Sequence, residues 1–114
     1  MKLVTAIFKP SRLDAVIDAV ADVSPSGLTV SEVRGYGRQQ GKTEVYRGAE
    51  YEVRLLPKVK VEIACADGEA ERVAEAIMGA ANTGTIGDGK IFIRALDTVI
   101  RIRTGERDEK AISG

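Results

Sequence analysis

The chain has 114 residues, of which 44% are apolar and 30% charged, and this composition suits one globular domain with its own core. Seventeen lysines and arginines balance seventeen aspartates and glutamates. Because no net charge attracts nucleic acid or an anionic membrane, direct binding to either is not expected, and any anion site must be local.

The residue types that are missing exclude further classes of chemistry. The sequence contains no histidine, which excludes phosphohistidine chemistry and removes the usual acid–base catalyst near neutral pH. Its single cysteine, Cys65, cannot form an intrachain disulfide, and we expect it to be buried in a strand. We find no signal peptide and no run of about 20 apolar residues, so a cytoplasmic protein is expected.

The first predicted elements are a strand, a helix and a second strand. β-Branched and apolar residues predict a strand over Lys2–Phe8. Ser11 is the predicted N-cap of the helix, with Asp14 as the acid of a shortened capping box, and the helix should end near residues 24–27. The second strand is predicted over residues 28–36.

A long polar segment, residues 35–52, follows. Connections in compact domains are usually about 4–6 residues, and much longer ones are typically disordered or retained because they bind something. The segment carries Tyr46, Arg47, Glu50 and Tyr51, which a partner could anchor or an enzyme could modify.

The third predicted strand, residues 58–66, alternates between an apolar face and a face that carries Lys58, Lys60 and Glu62. Asp67 is the predicted cap of a second helix with one apolar stripe, which residues 82–84 end. A fourth strand is predicted over 90–96 and a short further one over 99–103, followed by a charged loop or flexible tail.

This order of elements is the doubled βαβ pattern of the α+β, ferredoxin-like fold, in which an antiparallel sheet carries both helices on one face. The other face then needs a partner. Self-association of identical chains is the simplest way to cover it.

A glycine-rich turn, residues 84–90, has the GxxxxGK spacing of a phosphate loop. Ile91 stands where Ser or Thr should bind magnesium, and the turn leads from a helix into a strand, the reverse of a phosphate loop. We therefore reject a Walker-type NTPase. Glycine N–H groups and Lys90 still form a candidate polyphosphate site, and a plain glycine turn with a surface lysine is the alternative.

Two further clusters could bind phosphate. Arg101 and Arg103 are two positions apart on the predicted short strand, so both guanidinium groups should project to one side, although two solvated arginines are the simpler interpretation. Gly35, Gly37, Arg38 and Gln39 form a third cluster at the start of the long segment, which is weak by itself.

Taken together, the segments closely resemble the PII nitrogen-signalling proteins along nearly the whole chain. The matching residues are Lys9, Pro10 and the segments 29–39, 43–51, 56–60, 83–92 and 99–106. The resemblance implies a homotrimer of single-domain subunits, residues 1–114, with a T-loop at about 37–55 and a C-terminal loop and tail at about 102–114.

The resemblance also implies ligands and their sites. ATP or ADP would bind in clefts between neighbouring subunits, at Thr29, Gly35, Gly37, Arg38, Gln39, Glu62, Ala64, Gly87, Asp88, Gly89, Lys90, Arg101 and Arg103. The effector 2-oxoglutarate would share a Mg²⁺ ion with ATP. Its implied contacts are Gln39, which would also bind the metal, Gln40, Gly41, Lys58 and Gly87.

The implied output is carried by the T-loop. Tyr51 matches the tyrosine that a nucleotidylyltransferase uridylylates or adenylylates in many bacterial members. Implied targets are an ammonium transporter and nitrogen-assimilation enzymes or regulators, with the membrane reached only through a transporter. Gln40, Lys42 and Arg54 depart from the family pattern and bear on target choice, and Ala49 has no hydroxyl for the phosphorylation known in some relatives.

We therefore expect a non-catalytic sensor. Two alternatives stay open: a nucleotide hydrolase or kinase that uses the glycine-lysine turn, and a PII-like relative that senses another small molecule or serves a membrane carrier. The missing histidine and the missing Ser or Thr after Lys90 count against the enzyme.

Overall fold

The computed structural model describes residues 1–24, 26–37, 43–46, 49–52 and 55–112. Within them lie six strands and three helices. The strands are β1 (Lys2–Phe8), β2 (Thr29–Gly35), β3 (Thr43–Tyr46), β4 (Ala49–Glu52), β5 (Leu56–Cys65) and β6 (Lys90–Ala95). The helices are α1 (Leu13–Val23), α2 (Ala70–Ala81) and the short α3 (Glu109–Ile112).

Four of the strands form one antiparallel sheet in the order β2-β5-β1-β6, which confirms the ferredoxin-like prediction. The core lies between this sheet and the two long helices. Val4 is paired with Ile63 and Phe8 with Val59, and all four side chains are buried. The core is completed from the helices by Val16, Val20, Val73 and Ile77.

The two long helices pack on the buried face of the sheet, as predicted, and the short α3 comes near β5. On the opposite face Lys58, Lys60 and Glu62 lie partly exposed, and Phe92 of β6 is 50% exposed. This face therefore carries partly exposed polar side chains and a half-exposed aromatic ring.

Both predicted helix caps are wrong. A 3₁₀ turn, Pro10–Arg12, precedes α1, so Arg12 takes the N-cap position that was predicted for Ser11, and it makes no side-chain cap bond. A second 3₁₀ turn, Asp67–Glu69, likewise displaces Asp67 from the cap of α2. The tighter turn moves the helix start onward along the chain and changes which residue precedes it.

The predicted strand over 99–103 is also wrong. Ile100 makes one isolated bridge to Arg107, and the chain reverses between them, with the Gly105 N–H bonded to the Arg101 carbonyl at 2.8 Å. The alternation of Ile100 and Ile102 resembles a strand, but Ile102 packs on nothing and is fully exposed. The segment after Arg103, predicted as a charged loop or flexible tail, forms this turn and then the short helix α3.

The long polar segment is not a simple loop, because it contains the hairpin of β3 and β4, in which Glu44 pairs with Tyr51. The polar residues of this segment lack the apolar alternation that predicts a strand. The predicted residues 38–42, 47–48 and 53–54 lie outside the described residues. Among the described helices, none is long and apolar enough to cross a membrane.

Candidate functional site

A cleft of about 700 Å³ opens at one end of the sheet. Three separate segments form it: the end of β2, the start of β5, and the turn before β6. The antiparallel register explains the meeting, because Gly35 pairs with Leu56 of β5 and Lys90 pairs with Ile7 of β1, all at the same end of the sheet. The predicted ligand residues that line the cleft are Gly35, Gly37, Lys58, Gly87, Gly89 and Lys90.

The rest of the described lining is mainly apolar. Ile7, Ile86 and Phe92 contribute side chains, together with Tyr36 and Leu56. An apolar wall with a few converging polar groups is typical of small-molecule sites. Sequence reasoning missed these apolar residues, since only their positions in the folded sheet distinguish them from core residues.

The glycine turn is held tightly against β1. Gly89 has φ of +106°, and a Cβ there would lie 1.8 Å from the carbonyl oxygen of Ile7. No other residue type fits this backbone without movement of the strand. The glycine is therefore needed for the shape of the turn, in addition to any role of its N–H group.

Lys58 joins the two sides of the cleft. Its ammonium group donates a hydrogen bond of 2.8 Å to the carbonyl oxygen of Gly87. Desolvation, and next the charge of Lys9, lower the pKa of Lys58, while Asp88 acts in the opposite direction. Lys58 and Lys90 both line the cleft, so positive charge is concentrated there, as an anion site requires.

Asp88 belongs to the same turn but not to the cleft lining. Its carboxylate accepts hydrogen bonds from the Thr83 N–H at 2.7 Å, the Gly84 N–H at 2.9 Å and the Thr83 hydroxyl. The Lys9 ammonium lies 3.3 Å from it. These bonds, those of Thr83 first, hold the pKa of the carboxyl well below its usual range.

The predicted nucleoside contacts lie farther along the sheet. Thr29 is paired with Glu62, and Ala64 follows on the same face of β5. Glu62 accepts a hydrogen bond of 3.4 Å from Thr5 and lies 4.0 Å from both Lys60 and Arg94. Lys58 and Glu62 are four strand positions apart, about 13 Å, which is within the span of one nucleotide.

The two arginines are not in the cleft of their own chain, and they do not lie on a strand. The Arg101 guanidinium donates hydrogen bonds to the Glu106 carboxylate at 3.1 Å and to the Lys110 carbonyl oxygen at 3.0 Å. These bonds connect the C-terminal turn to α3. Arg103 is exposed in that turn. The turn follows the end of β6 that pairs with Lys2, the sheet end opposite Lys90.

The remaining predicted site residues belong to the long polar segment. Arg38, Gln39, Gln40 and Gly41 lie outside the described residues, as do Lys42 and Arg54 of the departures. Tyr51 is paired with Glu44 in the hairpin of β3 and β4.

Comparison with known proteins gives a consistent result. The family model "Nitrogen regulatory protein P-II" matches residues 1–106. Among curated relatives, the P-II protein of Rhizobium etli is 55% identical over 112 residues, covering 98% of this chain and 100% of the relative. GlnK of Escherichia coli strain K12 is also 55% identical, over 98% of this chain and 100% of its own.

A solved structure agrees with these relatives. Arabidopsis thaliana PII, crystallised bound to citrate, matches with a TM-score of 0.80 and 38% identity, over 99% of this chain and 90% of that one. The comparisons confirm the resemblance and the expectation of a regulatory protein, and they overturn the hydrolase or kinase alternative. The chain belongs to the P-II family of nitrogen regulatory proteins.

Proposed function

We propose that this P-II protein is a sensor that binds ATP or ADP, together with 2-oxoglutarate, and reports the bound state through its T-loop. The observation that carries the proposal is the cleft. Six residues predicted as ligand contacts come from three distant segments and line one space of about 700 Å³. Such a volume is within the usual range for sites that bind small molecules and cofactors.

The phosphates would bind at the glycine turn. Gly87 and Gly89 bring backbone to the cleft without side chains, and Lys90 supplies a charge at its edge. Gly35 and Gly37 form the opposite wall, next to the predicted Arg38 and Gln39. Thr29, Glu62 and Ala64 would then contact the nucleoside, and Asp88 supports the turn.

We propose a homotrimer in which a neighbouring subunit supplies Arg101 and Arg103. Two observations support this assembly. The arginine-bearing turn follows the opposite end of the sheet from the cleft, so one chain does not bring both groups to one phosphate chain. The sheet face opposite the helices also leaves Phe92 half exposed, which association would cover.

The effector 2-oxoglutarate would bind at Lys58, with Gly87 and the predicted Gln39, Gln40 and Gly41 beside it. The ammonium group of Lys58 suits a carboxylate. None of the described lining residues of the cleft carries a carboxylate, so Mg²⁺ would be held by phosphate and effector oxygens and by Gln39.

The output would pass through the T-loop. Ligands act on such a loop only through different affinities for its conformations, so MgATP with 2-oxoglutarate and ADP alone would favour different ones. The loop would contact an ammonium transporter, or nitrogen-assimilation enzymes and regulators, and a nucleotidylyltransferase would modify Tyr51. The protein would reach a membrane only through such a transporter.

Calorimetry tests this proposal. We expect 2-oxoglutarate to bind the purified protein in saturating MgATP and to give no measurable heat without it. A protein that binds no 2-oxoglutarate under saturating MgATP would contradict the sensor function proposed here.

A second candidate is a P-II relative that senses a different small molecule. The observation that favours it is the citrate bound by Arabidopsis PII, since citrate is another polycarboxylate. The same titration with citrate in place of 2-oxoglutarate separates the two. Tighter binding of citrate than of 2-oxoglutarate would support the second candidate.

A further inference from the structure

The Asp88 carboxylate is partly exposed but is held by several groups of the same chain. It accepts two backbone N–H groups, from Thr83 and Gly84, and the Thr83 hydroxyl, and it lies 3.3 Å from the Lys9 ammonium. A carboxylate has about four acceptor sites, so these partners occupy its capacity. The carboxylate therefore has little acceptor capacity left for binding a ligand.

The side chain also faces away from the cleft. Asp88 lines a second, smaller cavity of about 340 Å³ between β6 and α2, on the other side of the glycine turn. The larger cleft is lined by its neighbours Gly87 and Gly89 but not by Asp88. A carboxylate aimed at a polyphosphate would in any case repel it.

Lys9 links Asp88 and its hydrogen-bond partners to the sheet. It follows Phe8, the buried last residue of β1, so its backbone position is fixed by the core. Its ammonium group donates to the Thr83 hydroxyl at 3.3 Å and to the Thr85 hydroxyl at 2.5 Å, in addition to the contact with Asp88. The turn is thereby tied to β1 at both Thr83 and Asp88.

We propose that Asp88 is a positioning residue that holds residues 83–90 in the shape that forms the cleft, with Lys9 as its counter-charge, and that Asp88 itself does not contact the ligand. This inference rests on the proposed nucleotide function of the cleft. The carboxylate stays ionised across physiological pH, because its hydrogen bonds lower its pKa.

The proposal makes two linked predictions for Asp88→Asn. The neutral amide forms no ion pair with Lys9, and it has one acceptor oxygen instead of two. We therefore expect amide hydrogen exchange at Thr83 and Gly84 to accelerate at least about tenfold in the ligand-free protein. We also expect the ATP dissociation constant to rise about tenfold. This is the size of effect expected when hydrogen bonds to a charged group are lost.

The controls separate positioning from contact. Asp18→Asn, on the exposed side of α1, makes the same chemical change and should alter neither measurement. Lys9→Gln should accelerate the same amides, and the double variant should be no worse than Asp88→Asn alone, because both changes break one network. Thr83→Val, which removes only the hydroxyl, provides a milder variant if Asp88→Asn does not fold.

The outcomes are distinct. Weakened ATP binding with unchanged exchange at Thr83 and Gly84 would mean that Asp88 contacts the ligand, and unchanged ATP binding would mean that the turn does not need it. Either result overturns this inference and leaves the proposed function standing. A wild-type protein that does not bind ATP overturns both.

Discussion

Lys58 of β5 donates a hydrogen bond of 2.8 Å to the carbonyl oxygen of Gly87, in the turn before β6. The two residues lie on opposite sides of the cleft, so this hydrogen bond joins the two sides. A carboxylate bound at Lys58 would share or replace the carbonyl as the acceptor. Effector binding would therefore act directly on the turn proposed to hold the phosphates.

Lys58→Met should weaken 2-oxoglutarate binding while ATP still binds. Methionine keeps the apolar stem but loses the charge, and a hydrogen bond to a charged group contributes about 1.5–3 kcal/mol, or roughly 10- to 100-fold in affinity. Calorimetry in saturating MgATP measures the loss. Lys60→Met, two positions along the same face, is the matched control, and an equal loss in both variants would contradict a specific role for Lys58.

The same lysine predicts a pH dependence. Because burial and Lys9 lower the pKa of Lys58, its charge is lost at a lower pH than that of an ordinary lysine, near 10.4. We expect 2-oxoglutarate affinity to fall as pH rises, beginning below that value. An affinity that stays constant until ordinary lysines titrate would count against Lys58 as the carboxylate partner.

Gly89→Ala should destabilise the protein by about 2–4 kcal/mol, since its Cβ would meet the Ile7 carbonyl and its backbone would be strained. Gly79→Ala provides a control of opposite sign. Gly79 lies in α2 with nothing within 4 Å of an added Cβ, so alanine should stabilise the helix by about 0.5–1 kcal/mol. Denaturant unfolding of both variants checks the pair, and equal stability of the two would refute the tight contact.

The acid stability of the protein should depend on Asp88. Its folded-state pKa lies below the unfolded value near 3.9, so its stabilisation is complete above that pH and is lost as pH falls further. The stability difference between wild type and Asp88→Asn should be constant from pH 8 to about 5 and narrow below about 4. Denaturant unfolding across this range measures it, and a difference that does not change at low pH would exclude an ionised Asp88.

Arg103→Ala should weaken ATP binding without unfolding the protein, because Arg103 is exposed and its proposed contact is with a neighbour's phosphates. Nucleotide calorimetry and the oligomeric mass are measured together, with Arg72→Ala as the control. Unchanged nucleotide affinity in an intact oligomer would refute the role assigned to Arg103.

The sequence predicts the sheet well because one signal dominates. Apolar residues alternate in β5 with a period of two, and the structure buries that face, including Cys65. The same signal fails at Ile100 and Ile102, where the segment is short and Gly105 reverses the chain. The caps fail because 3₁₀ and α geometry begin with similar residues.

The candidate site was predictable only in part. Glycine and lysine spacing identifies the turn at residues 84–90, and the structure brings it to Gly35, Gly37 and Lys58. The network beneath it has no local signal, since Lys9 and Thr83 are 74 positions apart and meet only when β1 and β6 pair. Long-range contacts of this kind require the register of the sheet.

The central claim is that ATP binds in this one cleft, and NMR titration of the labelled protein tests it most directly. We predict that ATP shifts the backbone amide signals of Gly35, Gly37, Gly87, Gly89 and Lys90, while those on the exposed side of α1 stay unchanged. Shifts confined to other parts of the chain, with these five signals unmoved, would contradict the account.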